Sequence, residues 1–138
     1  MCIMEVLARG ADGNEGETMT EQEFTYAVDG MLTAALWSST DENGEPLDAN
    51  YAAYNIAPAT ITALVADIVA FIGANSDDIA ASGMVAEQVG HDFWLTRNHH
   101  GAGFWDRGLG EVGERLTAAT RPYGEVDLYV GDDGLIYA

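Results

Sequence analysis

The sequence predicts an α+β domain in which three to four helices pack on a small antiparallel sheet. Three observations carry that expectation. A T-x-x-E capping signature at Thr20–Glu23 precedes apolar residues at helical spacing. An almost uncharged run behind Pro58 repeats that spacing. Near the C-terminus Val126, Leu128 and Val130 alternate with Glu125, Asp127 and Tyr129, the period of a half-buried strand.

Residues 10–20 are rich in Gly and acid and read as an exposed loop, so residues 1–19 are expected to form a loose or extended arm. The first helix starts after Thr20, carries Phe24, Val28, Met31, Leu32 and Ala35 on one face, and stops near Trp37 at a polar, acidic loop. In the second helix Ile61, Leu64, Val65, Ile68 and Ile72 form one stripe, which places it at the centre of the core. Asp77-Asp78 is expected to open a short third helix running through Glu87, because acids favour a helix N-terminus. Two aromatic segments, His91 to Thr96 and Gly103 to Asp106, flank Arg97-Asn98-His99-His100-Gly101 and suggest a β-hairpin near 91–106. In that hairpin His91 faces Asp106, and Trp94 lies over Gly103. Residues 110–121 read as a helix, and Gly131-Asp132-Asp133-Gly134 turns the strands near 125–137. The whole chain, residues 1–138, is expected to be a single domain.

The charge balance says most about partners. The chain holds 23 acids, five Arg and no Lys, a formal charge of −18. Residues 1–90 carry fifteen acids against Arg9 alone, a net of −14; residues 91–138 carry eight acids against four Arg, a net of −4. Such a protein is repelled by nucleic acid and anionic membranes and attracted to basic clefts. The expected partner is therefore a basic host protein or ribonucleoprotein complex, with no direct nucleic-acid or membrane contact. A lone Cys2 leaves no disulfide framework and no thiolate zinc site. With no basic n-region and no uninterrupted apolar span, the expectation is a cytoplasmic protein.

The stretch from Gly90 to Gly108, GHDFWLTRNHHGAGFWDRG, resembles a block found in small acidic proteins of phages and prophages. Ala35-Leu36-Trp37-Ser38-Ser39-Thr40-Asp41, Asp127-Leu128-Tyr129-Val130 and Asp132-Asp133-Gly134 look like the same family, and the likeness spans about residues 21–137. The resemblance implies a viral origin and names no reaction. An anti-defence inhibitor of the anti-CRISPR kind fits that origin. One departure is His99, where the family often has Gly; an Asn-Gly pair would favour a tight primed turn.

His91, Asp92, His99, His100 and Asp106 are the residues that a metal or hydrolase site would use. Placed on the hairpin, His99 and His100 sit at the tip, about 20 Å from His91, too far for one metal. The block reads as scaffold, with His91, Trp94, Trp105 and Asp106 as structural hairpin residues. No catalytic residue, metal or cofactor is expected. Asp41-Glu42-Asn43-Gly44-Glu45 and Asp132-Asp133-Gly134 miss the calcium-loop spacing, and no phosphate-binding or nucleophile-elbow motif is present.

A net charge of −14 matches the phosphates of about seven base pairs, about 24 Å of duplex, which a domain of this size can span. Glu15, Glu17, Asp41, Glu42, Glu45, Asp48, Asp77 and Asp78 are the candidate partner-binding residues. The function this points to is inhibition of a host defence complex, a CRISPR effector or restriction enzyme, by mimicry of DNA. Three alternatives stay open: a non-catalytic interaction protein using the aromatic face, a His/Asp-dependent enzyme, and an acidity that serves only solubility or salt adaptation.

Overall fold

The computed structural model describes residues 19–138. They form an α+β fold of five α-helices and one two-stranded antiparallel sheet, one helix more than the three to four expected. The expected N-terminal arm lies outside the described residues, as do Glu15 and Glu17.

Helix α1, Glu21–Ser38, begins with the capping box read from the sequence: the Glu23 N–H donates to Thr20 Oγ1, and the Thr20 N–H donates to the Glu23 carboxylate. The loop that follows is tied back by the Leu47 N–H, which donates to the Ser39 carbonyl at 2.9 Å. Its one apolar side chain, Leu47, is fully buried. Pro58 opens α2, Pro58–Ala74, whose Leu64, Val65, Ile68 and Ile72 are buried as the stripe requires. Helix α3, Ser76–Ser82, turns away from α2 by 79°. Among the described residues no single helix is long and apolar enough to cross a membrane.

The third helix differs from the expectation. It stops at Gly83, whose left-handed φ of 70° ends the turn, and a separate helix, α4, spans Ala86–Arg97. The expected hairpin near 91–106 is therefore absent: His91 and Trp94 lie on α4, and Trp105 and Asp106 lie in a 3₁₀ turn at Phe104–Asp106. The physical reason is burial on every side. Asp92 through Arg97 are six consecutive buried residues, and a segment enclosed all round loses the polar face that marks a helix in sequence. Its aromatic residues then imitate the composition of a strand. Trp94 does not cover Gly103; a Cβ there would meet Thr96 Oγ1 at 2.4 Å instead.

What holds α4 in place is a close crossing with α1, the most extensive contact between elements among the described residues. A Cβ on Gly90 would fall 1.7 Å from the Ala27 carbonyl oxygen, and one on Gly30 would fall 2.0 Å from that of Glu87. Only glycine lets the two backbones approach so closely. Beneath the crossing, Phe71 of α2 packs at 4.7 Å on Phe93 and at 5.6 Å on Phe104. Helix α5, Glu111–Thr120, packs on α3 and on the 104–106 turn. Strands β1, Tyr129–Val130, and β2, Ile136–Tyr137, pair around the expected Gly131–Gly134 turn, although β1 is shorter than its alternation suggested. Ala57 donates its N–H to the Ile136 carbonyl at 2.9 Å, which docks the hairpin at the start of α2.

Candidate partner-binding surface

Four of the predicted partner-binding acids share the loop after α1. The Asp41 carboxylate accepts the N–H groups of Asn43 and Glu45 at 2.8 and 3.0 Å, an Asx-type closure of the turn. Glu45 accepts a hydrogen bond from the Asn50 side chain at 3.0 Å. Glu42 and Asp48 are exposed. The buried Leu47 and an isolated bridge between Thr40 and Pro46 brace this loop, so its carboxylates stand on a fixed frame. No described arginine pairs with any of the four.

The loop also brings Asp48 to one side of a groove of about 450 Å³, whose other lining includes Asp29 and Leu32 of α1. Asp29 was not singled out from the sequence, yet it sits on the exposed side of a capped helix one turn from Leu32, which signals an outward acid.

Asp77 and Asp78 stand apart on α3. Asp77 is exposed, but Asp78 is engaged with Arg115 of α5 through Nε at 3.1 Å and Nη2 at 2.8 Å. That bond holds the Asp78 carboxyl below the usual carboxylate range and raises the Arg115 guanidinium. Asp78 is thus partly neutralised, whereas the loop acids are not.

The aromatic block builds a different arrangement from the one expected. Asp92 is wholly buried and faces Arg107, which donates from Nε to Oδ2 and from Nη2 to Oδ1, both at 2.8 Å. Gln88 donates to the same carboxylate at 2.7 Å, and His91 Nδ1 lies 3.3 Å away. The hydrogen bond from Arg107 is the main reason its guanidinium pKa is raised. Arg97 is 3 % exposed and fully committed: its guanidinium donates to Asp67 and to the carbonyls of Tyr123 and Gly124, and stacks over Phe93. These are clamps that join α4 to its neighbours.

The expected His91–Asp106 contact is absent; His91 instead approaches Asp92 and the Trp37 ring, at 5.8 Å between centroids. His100 meets the same Trp37 ring edge-on at 5.3 Å, so the two histidines flank one indole and are not separated by the length of a hairpin. His99 points elsewhere, to Glu125 at 3.3 Å. Among the described residues no group of three or more His, Cys, Asp or Glu is placed to hold a metal ion. Trp105 is 53 % exposed, while Trp94 is buried and donates its indole N–H to Ser38 Oγ at 3.0 Å.

His99 has a positive φ of 54°. Its N–H donates to the Thr96 carbonyl and the His100 N–H to that of Leu95, the paired bonds of a Schellman motif closing α4. The position that favours glycine is therefore a helix C-terminus and not a hairpin turn.

No protein-family model matches this chain, and neither a curated protein nor a solved structure shows significant similarity to it.

Proposed function

We propose that this chain is a non-catalytic inhibitor of phage origin that occupies a basic nucleic-acid-binding surface of a host defence complex, a CRISPR effector or a restriction enzyme, by imitating DNA. The observation that carries the reading is the braced loop at 41–48. Its four carboxylates are displayed outward on a fixed frame and none is neutralised by a described arginine. A mimic needs anionic groups that are ordered before binding, since ordering them on contact costs side-chain entropy. A solubilising charge has no such need. Asp29 and Asp77 extend the same exposed acidity onto α1 and α3, while Asp78 contributes less because Arg115 shares its charge.

The test is competition. Purified basic effector complexes are titrated with this protein in the presence of labelled duplex DNA, at several salt concentrations. The reading expects DNA to be displaced, with association slowing steeply as salt rises. Reversing Asp41, Glu42, Glu45 and Asp48 to Lys should abolish displacement while leaving the helical circular dichroism intact. Unchanged displacement by that variant would refute the mimicry.

A further inference from the structure

The C-terminal ends of α1 and α4 lie side by side, joined by the Trp94–Ser38 hydrogen bond and by Trp37 against His100. The segment at 125–128 crosses in front of them, held by the Val126 N–H, which donates to Asn98 Oδ1 at 2.8 Å. Between these parts opens a cleft of about 370 Å³, lined among others by Ser38, Thr40, Asn98, His100, Glu125 and Asp127.

Two independent features make this cleft a place for a cation. Glu125 and Asp127 are both exposed, and neither pairs with a described arginine. Helix α1 ends here with no basic residue in its last turn. The loop amides beyond it donate elsewhere, Leu47 to the Ser39 carbonyl and Asp41 to that of Glu45. The negative end of the α1 dipole is thus left at the cleft without a positive group beside it. Helix α4 does carry Arg97 in its last turn, but that guanidinium is spent on Asp67, Tyr123 and Gly124.

We propose that the cleft receives a single guanidinium group, the arginine side chain of a protein partner. Hydroxyls, carboxylates and helix carbonyls give a fan of acceptors, which suits a planar group with five N–H donors. The flanking rings of Trp37, 36 % exposed, and His100 offer faces on which a guanidinium stacks. A lysine ammonium holds its water more tightly and stacks less well, so it is the poorer occupant of a concave site. The volume suits one side chain and is small for a peptide backbone with its neighbours. This inference rests on the reading of the chain as the partner of a basic protein, and adds a point at which that partner is gripped with geometric selectivity.

The probe is Nα-acetyl-arginine amide, titrated into the full chain at about pH 8, where imidazoles as a class are uncharged. Amide and indole NMR shifts report the binding. Saturable shifts are expected at the Trp94 indole and at residues 38–40, 98–100 and 125–128, with a dissociation constant of about 1–10 mM. The citrulline analogue, of the same shape without the charge, should bind roughly tenfold more weakly. The near-isosteric Glu125→Gln/Asp127→Asn variant should lose about tenfold for arginine. Equal shifts with citrulline overturn the proposal, as do unsaturable shifts spread over every carboxylate or an unchanged affinity in the double variant. The Lys-reversed 41–48 loop separates the two readings. It should keep arginine binding within about twofold, because exposed charges are screened beyond about 8 Å at physiological salt. A failed cleft therefore shows in the arginine titration, and a failed mimic in the DNA competition.

Discussion

At the scale of single residues the informative positions are those where chemistry and conformation conflict. His99 holds a left-handed conformation that costs a side chain about 1 kcal/mol relative to glycine. Against this stands an exposed ion pair with Glu125 worth a few tenths of a kcal/mol. Glycine also carries more freedom in the unfolded chain. The balance predicts that His99→Gly raises unfolding stability by about 0.5 kcal/mol, read from the denaturant midpoint. A loss of stability would mean that the imidazole makes a contact stronger than its geometry suggests. Asp92 is the opposite case, a fully buried carboxylate made tolerable by its partners. Arg107→Ala leaves only Gln88 and His91 to solvate it and should cost about 2–3 kcal/mol. That is the lower part of the range for a broken buried pair, because Arg107 is itself 34 % exposed. Arg107→Lys keeps the charge but loses the two-pronged bond, and should fall between the two in the same urea titration. Equal stability in all three proteins would show that water reaches Asp92 and replaces the arginine.

At the scale of elements, the α1–α4 crossing and the C-terminal hairpin make separate predictions. Gly90→Ala drives a methyl into the Ala27 carbonyl, and neither helix backbone can yield without displacing the core around Phe71 and Phe93. The expected loss is about 3 kcal/mol in a denaturant titration; a change under about 0.5 kcal/mol would mean that the helices slide apart freely. In the hairpin, the Tyr137 hydroxyl donates to the Asp133 carboxylate, and that bond is the main cause of two opposite shifts. Asp133 is held below the ordinary Asp value, so its contribution is complete above about pH 4 and fades as pH falls through the depressed value. Tyr137 is raised, so its contribution is complete below about pH 10 and fades as pH rises further. A carboxyl carbon NMR titration should show the Asp133 midpoint returning toward the ordinary value in Tyr137→Phe, and an unmoved midpoint would refute the coupling. The same two elements show why some structure was legible in the sequence and some was not. Helices α1 and α2 were readable because each keeps one wet face, so its apolar residues recur every three or four positions. Helix α4 was not, since enclosure from Asp92 to Arg97 erased that periodicity and left an aromatic string that imitates a strand. The role of Gly90 is equally silent: its contact is with Ala27, sixty-three positions away. Among the candidate site residues, the acids at 41–48 could be named from composition alone. The pairing of Asp78 with Arg115 and the joining of His91 and His100 on Trp37 depend on helix placement, and no local pattern reports that.

At the scale of the whole molecule the question is what the −18 does to the folded state itself. Three of the four described arginines are consumed by Asp67, Asp92 and Asp78, two of these pairs fixing α4 and one joining α3 to α5. Most of the remaining acids therefore repel one another across a domain only about 35 Å wide. Unfolding spreads those charges, so the repulsion acts against the native state. Raising NaCl from about 0.01 to 0.15 M shortens the screening length from about 30 to 8 Å, and Tm should climb by several degrees over that interval. Above about 0.5 M the rise should flatten, because pairs in contact are little affected by further screening. The Lys-reversed 41–48 loop should raise the low-salt Tm and shallow the salt slope, since it removes the densest described run of unpaired acids. If the acids served only solubility, that variant would be the better protein in every assay. If they serve a partner, it will be the more stable protein at low salt and the one that no longer displaces DNA. A salt-independent Tm in the parent chain would sink the premise, by showing that its carboxylates are too dispersed to act together on the fold or on a partner.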